Sequence, residues 1–209
     1  MKENEAEALE HVFKAEGGFA ERPEEGGGAV NMGITMTTFT HWRMVIKKQK
    51  EKPTIPDLKA MTKEEATEIY RYRYLDKINF NELPAGVDYA VFDAAVHSGV
   101  VGSIRFLQEA LGFKYEHEYP KWDGHLIDGD LDLDTMWAVH NREPRSLIYE
   151  LVAVRKFRQD KILDRKDADK EKYPNFDRPK WAGIWGRRNN KVRDIAYKML
   201  DNAKGRAKT

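Results

Sequence analysis

The chain has 209 residues, of which 41% are hydrophobic, 34% charged and 11% aromatic; this composition indicates one compact folded body and argues against disorder. The absence of cysteine excludes disulfides, zinc-thiolate sites and a cysteine nucleophile. With a formal net charge of only +1, nothing in the overall charge points to nucleic acid.

The first half of the chain predicts helices around one small β element. Leu9, Val12 and Phe13 recur at helical spacing and predict a helix over residues 3–15, which the following glycine pair ends. Alternating apolar residues and glycines within 19–36 predict a β-hairpin. A second helical stripe covers 37–49, and the turn-forming KPTIP after it predicts a linker.

The rest of the chain is predicted to be helical. Thr62 and Glu65 have the spacing of a capping box at the start of a helix. Residues 83–99 are apolar nearly all round, which is typical of a helix at the centre of a protein. Further helices are predicted over 103–112, over 144–164 and, with basic character, up to about residue 203, with an aspartate-rich connector at 123–134. The predicted fold class is therefore mainly α, a helical bundle with one small β-hairpin near the amino terminus.

Glu16 falls on the apolar side of the first helix, three and four residues after Phe13 and Val12. Partial desolvation and the negative carboxyl end of the helix both favour the protonated form of this side chain. A protonated carboxyl group suits a general acid that protonates a glycosidic oxygen. The alternative is that Glu16 only ends the helix and that Gly17 and Gly18 form its left-handed cap.

Most glycosidases need a second carboxylate across the scissile bond, and the loop offers Glu21, Glu24 and Glu25. The separation between the two carboxyl groups decides whether such an enzyme retains or inverts configuration.

Four sequence stretches carry a family resemblance. They are EGGF at 16–19, GGGAVNMGIT at 26–35, FDAAVHSG at 92–99 and LQEALG at 107–112. Together they resemble glycoside hydrolase family 108, whose members look like N-acetylmuramidases that cut peptidoglycan.

The resemblance implies a lysozyme-like catalytic region at 1–90 and a helical peptidoglycan-binding-like region at 91–209 packed against it. It implies Glu16 and Glu25 as catalytic residues, with no cofactor and no metal. Implied substrate-binding residues are Gly17, Gly18, Asn31, Thr35, Asp93, His97 and Gln108. Asp123 and Gly124 match an Asp-Gly loop of the family, and the residues after them look inserted.

Two departures concern the attacking water. Glu25 stands where the family usually has Asp, and Val30 stands where it usually has Thr. Thr35 could supply the missing hydroxyl. The presence of Val30 leaves open a non-catalytic wall-binding or virion protein that has lost the water site. A lytic transglycosylase, which shares the glutamate but needs no attacking water, is a further alternative.

The biological setting is also an expectation. The acidic amino terminus lacks the apolar core of a secretion signal, and no stretch is long and apolar enough to span a membrane. We therefore expect a phage endolysin made in the host cytoplasm, released by a holin and acting on peptidoglycan in the periplasm or cell wall. A monomer that binds neither nucleic acid nor the membrane interior is expected.

Three further patterns are each compatible with two interpretations. Asp93 and His97 are four residues apart and could pair in the core or face the glycan. The alternating aspartates at 128–134 resemble a calcium loop superficially but lack its glycine and closing glutamate. Trp181 and Trp185 could stack on sugars or pack in the core, within a carboxyl-terminal segment rich in Lys and Arg.

Overall fold

The computed structural model describes residues 2–22, 28–116 and 124–206. The chain divides into two compact units, an N-terminal unit over Lys2–Asp76 and a C-terminal unit over Lys77–Thr209. The division of function at residue 90 stays a prediction. Among the described helices, none combines the length and the apolar content needed to cross a membrane.

Within residues 2–22 and 28–76, the N-terminal unit contains four helices and one sheet. The helices are α1 (Lys2–Glu16), α2 (Met36–His41), α3 (Ile55–Lys59) and α4 (Lys63–Tyr70). A π-helical turn extends α2 over Trp42–Ile46, and another extends α4 over Arg71–Leu75. The strands are β1 (Ala20–Arg22), β2 (Gly28–Asn31) and β3 (Ile34–Thr35).

The sheet is antiparallel in the order β1-β2-β3, so the predicted hairpin is confirmed and has one further strand. Alternate residues of a strand face opposite sides. Ala29, Asn31 and Ile34 are buried on one side, whereas Val30 lies directly opposite Thr35 on the other. One face of this small sheet therefore belongs to the core of the unit.

The core of the N-terminal unit joins α1 to α4. Leu9, Val12 and Phe13 are buried on α1, and the Phe13 ring meets the Tyr70 ring edge-on at 5.2 Å between centroids. Thr62 caps α4 by accepting the Glu65 N–H at 3.2 Å, as its spacing predicts. These contacts fix the orientation of α1 and therefore the position of its last residue, Glu16.

Helix α3 lies where the sequence predicted only a linker. Asp57 accepts the backbone N–H of Thr54 at 2.7 Å and its hydroxyl at 2.6 Å, while Pro56 occupies the first turn. A cap and an early proline are enough to start a short helix. Turn signals alone were therefore insufficient to exclude a helix here.

The C-terminal unit is built around a buried helix. Its helices are α5 (Val87–Ser98), α6 (Val100–Ala110), α7 (Leu133–His140), α8 (Pro144–Ala168) and α9 (Arg178–Arg206), after short 3-10 turns at Asp76–Ile78 and Phe80–Glu82. Every residue of α5 from Val87 to Ala95 is buried, which confirms the predicted central helix. The predicted mainly α class with a small β element is confirmed as well.

Helices α8 and α9 form an antiparallel pair, with Arg145 contacting Asp201 at one end and Arg178 contacting Asp164 at the other. Both pack on α5, and α8 also packs on α6. Helix α5 is thus enclosed on several sides, which explains its apolar character all round.

Candidate active site

Glu16 is the last residue of α1. Gly17 follows it with φ +79°, and its N–H donates to the Phe13 carbonyl at 3.0 Å. A left-handed glycine ends the helix here, so the predicted cap is present. Val12 and Phe13 are buried on the preceding turn, and Glu16 itself is half-buried. The cap and the position of the carboxyl group next to the apolar face occur together.

The turn between β2 and β3 packs directly against the Glu16 side chain. Met32 and Gly33 both have positive φ, at 48° and 74°. A methyl group on Gly33 would lie 2.9 Å from Cγ of Glu16 and 2.5 Å from the Tyr70 hydroxyl oxygen. That hydroxyl donates to the Met32 carbonyl at 2.9 Å. Tyr70 therefore holds the Met32-Gly33 turn in place, and the backbone of this turn packs against the Glu16 side chain.

Replacing Gly33 by Ala should lower both stability and activity. The left-handed backbone disfavours any Cβ by about 1–2 kcal/mol, and the new methyl group would also displace the Glu16 side chain. Gly28→Ala is the matched control, since Gly28 has φ +63° but no atom of the described part of the chain lies within 4 Å of its added Cβ. Urea unfolding should show a loss of stability in both variants, and the loss should be larger in Gly33→Ala because its Cβ also meets Tyr70 and Glu16. The rate of wall clearing should fall further in Gly33→Ala than in Gly28→Ala, and equal clearing rates in the two variants would contradict this positioning.

Thr35 is exposed, and its hydroxyl caps α2 by accepting the Thr38 N–H at 3.3 Å. Because directly opposed residues of an antiparallel pair point to the same face, Thr35 and Val30 share one side of the sheet. A hydroxyl group is thus present beside Val30, where the family resemblance predicts a threonine.

Asn31 lies in the interior, with 6% of its surface exposed. Its side-chain Nδ2 donates to the Leu58 carbonyl at 2.9 Å and to the Lys59 carbonyl at 3.4 Å, which ties β2 to α3. Buried polar groups normally have such partners. These contacts favour a positioning role over the substrate contact that the sequence predicted.

Of the other three loop carboxylates, Glu21 lies within the described residues, where it is exposed on β1. Glu24 and Glu25 lie outside the described residues. Gly17 and Gly18 are exposed, and among the described residues no atom lies within 4 Å of a Cβ added to either. Open backbone therefore follows Glu16.

Across residues 2–22, 28–116 and 124–206, no group of three His, Cys, Asp or Glu side chains could hold a metal ion.

Asp93 is at the centre of a buried charge cluster in the C-terminal unit. Its carboxylate accepts from Nη1 of Arg155 at 2.6 Å and from Nη2 of Arg188 at 3.0 Å. Burial alone would raise the pKa of Asp93, but the two guanidinium groups outweigh it and lower the pKa below its ordinary value. The pairing predicted with His97 is replaced by these two arginines, whose fixed charges bind a buried carboxylate more strongly than a neutral imidazole.

His97 is half-buried near the end of α5, and its Nδ1 lies 3.4 Å from the Ser98 hydroxyl oxygen. Burial, followed by the positive charges of Arg155 and Arg188, lowers the pKa of His97 from 6.5 to about 4. The imidazole is therefore neutral at pH 7 and offers one donor and one acceptor.

This lowered pKa predicts a loss of stability between pH 6.5 and about 4. In that window His97 binds a proton in the unfolded chain, where its pKa is about 6.5, but stays unprotonated in the folded protein. The contribution of His97 to the free energy of unfolding is therefore fully present above pH 6.5 and decreases as the pH falls. Denaturant unfolding at pH 7.0 and 5.0 should show a smaller difference in His97→Gln than in the wild type; an unchanged difference would contradict the assignment.

Gln108 is also buried, with 1% exposure, and organises an Asp-Gly turn. Its Nε2 donates to Asp128 Oδ1 at 2.7 Å, and its Oε1 accepts the Gly129 N–H at 2.9 Å. The turn that this glutamine holds is Asp128-Gly129, five residues beyond the pair chosen from the sequence; Asp123 lies outside the described residues. Gln108 therefore acts within the fold, and a substrate contact is not favoured.

Two positioning residues, Tyr70 and Arg155, are missing from the residues predicted from the sequence. Tyr70 falls on an apolar stripe, and nothing local indicates that its hydroxyl holds the Met32 carbonyl. Arg155 carries a usable signal, since it falls on the stripe of Ile148, Leu151 and Leu163, which are all buried. A charged residue at a buried position requires a partner of opposite charge.

Comparison with known proteins bears on this site. The family model described as Glycosyl hydrolase 108 matches residues 9–99. The solved structure of Brucella abortus SagA is 30% identical, with a TM-score of 0.70, and the alignment covers 96% of this chain and 97% of that one. The chain belongs to the glycosyl hydrolase 108 family. Among curated proteins, no significant match was found.

Membership of the glycosyl hydrolase 108 family supports a lysozyme-like, peptidoglycan-hydrolysing function. The matched segment includes Glu16, the three strands and α5. Peptidoglycan is accordingly the implied substrate.

Proposed function

We propose that the protein is an N-acetylmuramidase that hydrolyses the β-1,4 bond between N-acetylmuramic acid and N-acetylglucosamine. The observation that carries this proposal is the position of Glu16, half-buried at the end of α1, with open glycines after it and the Gly33 turn against its side chain. A carboxyl group held in this way can approach a glycosidic oxygen from a defined direction.

In the proposed reaction Glu16 is the general acid. It donates its proton to the leaving oxygen as the bond to the anomeric carbon breaks. The Glu25 carboxylate accepts a proton from a water molecule as the water oxygen adds to the anomeric carbon. The products are two sugar chains, one with a new reducing end. We propose that Thr35 orients the water in place of the threonine that Val30 replaces.

Roles for the other predicted site residues follow from their contacts. We assign Gly17 and Gly18 to substrate approach, because they leave open space beside Glu16. Asn31, Asp93 and Gln108 are assigned to positioning, because each is buried and bound to protein groups. His97 remains a proposed substrate contact.

The reaction type can be tested from the products. Digestion of purified peptidoglycan followed by mass spectrometry should give fragments with reducing N-acetylmuramic acid ends, because water enters the bond. Fragments with anhydro ends, lighter than the hydrolysed ones by the mass of one water, would instead identify a lytic transglycosylase. If the protein sediments with the walls but releases no fragments from them, it is a non-catalytic binding protein.

For the biological role we propose host lysis by a phage. The muramidase would act as an endolysin that a holin releases to the wall. Support comes from the implied peptidoglycan substrate.

A further inference from the structure

Arg73 lies on the π-helical turn that follows α4, and its side chain reaches across to α2. Its Nη1 donates to the Thr38 hydroxyl oxygen at 2.9 Å, and its guanidinium group lies over the Tyr74 ring, 5.6 Å from the centroid. The side chain of Arg73 is exposed, so burial does not explain why it is held here. Few helices contain a π-helical turn, and many of these turns occur at functional sites. The contact with Thr38 therefore calls for a role other than core packing.

Thr38 connects this contact to Thr35. The Thr35 hydroxyl donates to the Thr38 hydroxyl oxygen at 3.2 Å, and its own oxygen accepts the Thr38 N–H at 3.3 Å. A hydroxyl group has one hydrogen to donate and two lone pairs that accept. Within the described part of the chain no other donor reaches the Thr35 oxygen. One lone pair of Thr35 is therefore available to accept a hydrogen from a water molecule.

The end of α4 and its π-helical turn hold the chain on both sides of β3. Tyr70 donates to the Met32 carbonyl, which precedes this strand. Arg73 binds Thr38, which follows the strand. Thr35 is the last residue of β3, so it lies between these two points of attachment. The segment therefore fixes the part of the sheet at which the proposed reaction places its attacking water.

We propose that Arg73 is a positioning residue for hydrolysis, which acts through Thr38 to hold the Thr35 hydroxyl as an acceptor for the attacking water. A guanidinium group can only donate hydrogen bonds, so Arg73 fixes the Thr38 oxygen as an acceptor, which then receives the Thr35 hydrogen as well. A water molecule that donates one hydrogen bond to Thr35 and gives its proton to Glu25 keeps a lone pair for the anomeric carbon. This inference rests on the proposed function, and it adds Arg73 and Thr38 to the residues on which hydrolysis depends.

Steady-state kinetics separate this role from substrate binding. The substrate is a soluble, peptide-free glycan fragment of alternating N-acetylglucosamine and N-acetylmuramic acid, and the formation of reducing ends is measured. Arg73→Ala and Thr38→Val should each lower kcat about tenfold, within the factor of about 10² that a misplaced reacting group can cost. KM should stay unchanged, because the lost interaction is with the water and not with the glycan. The matched control is Thr37→Val, which removes a hydroxyl group from the exposed neighbour of Thr38 and should leave both constants unchanged.

Two further comparisons separate positioning from a general structural role. Thr38→Ser keeps the hydroxyl group and should retain most of the kcat that Thr38→Val loses. In the Thr38→Val background, Arg73→Ala should have no further effect on kcat, because the hydroxyl group through which Arg73 acts is already absent.

The role of Arg73 would be overturned, with the chemistry of Glu16 intact, if Arg73→Ala lowered kcat by the same factor in the wild-type and Thr38→Val backgrounds. A rise in KM with kcat unchanged in Arg73→Ala, or a Thr38→Ser variant as slow as Thr38→Val, would also overturn it. Anhydro ends in the products of the wild type would instead overturn the proposed function, and with it any need to position a water molecule.

Discussion

Glu16→Gln is expected to abolish the clearing of purified cell walls. The amide keeps the shape of the side chain and its contact with the Gly33 turn, but it has no carboxyl proton to donate. A general acid typically contributes a factor of about 10²–10⁴ to the rate, so the variant should lose at least about a hundredfold. The measurement is the initial rate of turbidity loss at equal protein concentration.

Two controls separate the loss of a proton donor from the loss of the fold or of wall binding. Glu7 lies on the same helix, with its Oε1 3.9 Å from Nε2 of His11. Glu7→Gln therefore removes a carboxylate without changing the Gly33 turn, and this variant should clear walls at the wild-type rate. Sedimentation with walls should remain the same in Glu16→Gln, because the variant keeps its surface. A clearing rate close to that of the wild type would contradict the catalytic role of Glu16.

Asp93→Asn should produce the largest loss of stability. Removing one charge from a buried ion pair costs about 3–5 kcal/mol, because the remaining charge has no compensation. Here two guanidinium groups depend on the same carboxylate, and within the described part of the chain Nε and Nη2 of Arg155 have no hydrogen-bond partner. The free energy of unfolding from urea titration at pH 7 should fall accordingly.

Glu150→Gln provides the comparison for Asp93→Asn. Glu150 also pairs with an arginine, Arg142, at 2.8 Å, but 44% of the Arg142 side chain and 35% of that of Glu150 are exposed. Exposed pairs contribute less than about 1 kcal/mol, so this variant should remain close to the wild type. A similar loss in both variants would show that the buried cluster contributes no more than a surface pair.

The cluster also predicts the response to acid. Since the pKa of Asp93 is lowered in the folded state, its contribution is present above the unfolded Asp pKa of about 3.9. It is lost as the pH falls through the lower folded value. Asp93→Asn should therefore remove a component of acid unfolding below about pH 4, which lies under the window assigned to His97.

Local signals predicted the elements that present the candidate site. The apolar spacing of α1, the glycine after Glu16 and the cap at Thr62 act over a few residues, so the sequence alone was sufficient to find them. The buried α5 was equally visible, because an apolar helix requires neighbours on every side. These features place Glu16 at a helix end beside a small sheet.

Interactions between distant residues were not predictable in this way. Asp93 lies 62 residues from Arg155 and 95 from Arg188, and no local pattern selects them over the adjacent His97. The family resemblance matched an Asp-Gly loop to Asp123 and Gly124, but no local pattern indicates that Gln108 holds Asp128 and Gly129, which lie 20 and 21 residues away from it in the sequence. The roles of Asn31 and Tyr70 likewise depend on which backbone carbonyls lie near them in the fold.

Dependence on the leaving group tests the role of Glu16 most directly. Wild type and Glu16→Gln would be compared on peptidoglycan and on a synthetic muramyl glycoside with a dinitrophenolate leaving group, which departs without a proton. The account predicts a loss of at least about a hundredfold on peptidoglycan and a much smaller loss on the activated glycoside. Equal losses on the two substrates would contradict proton donation by Glu16.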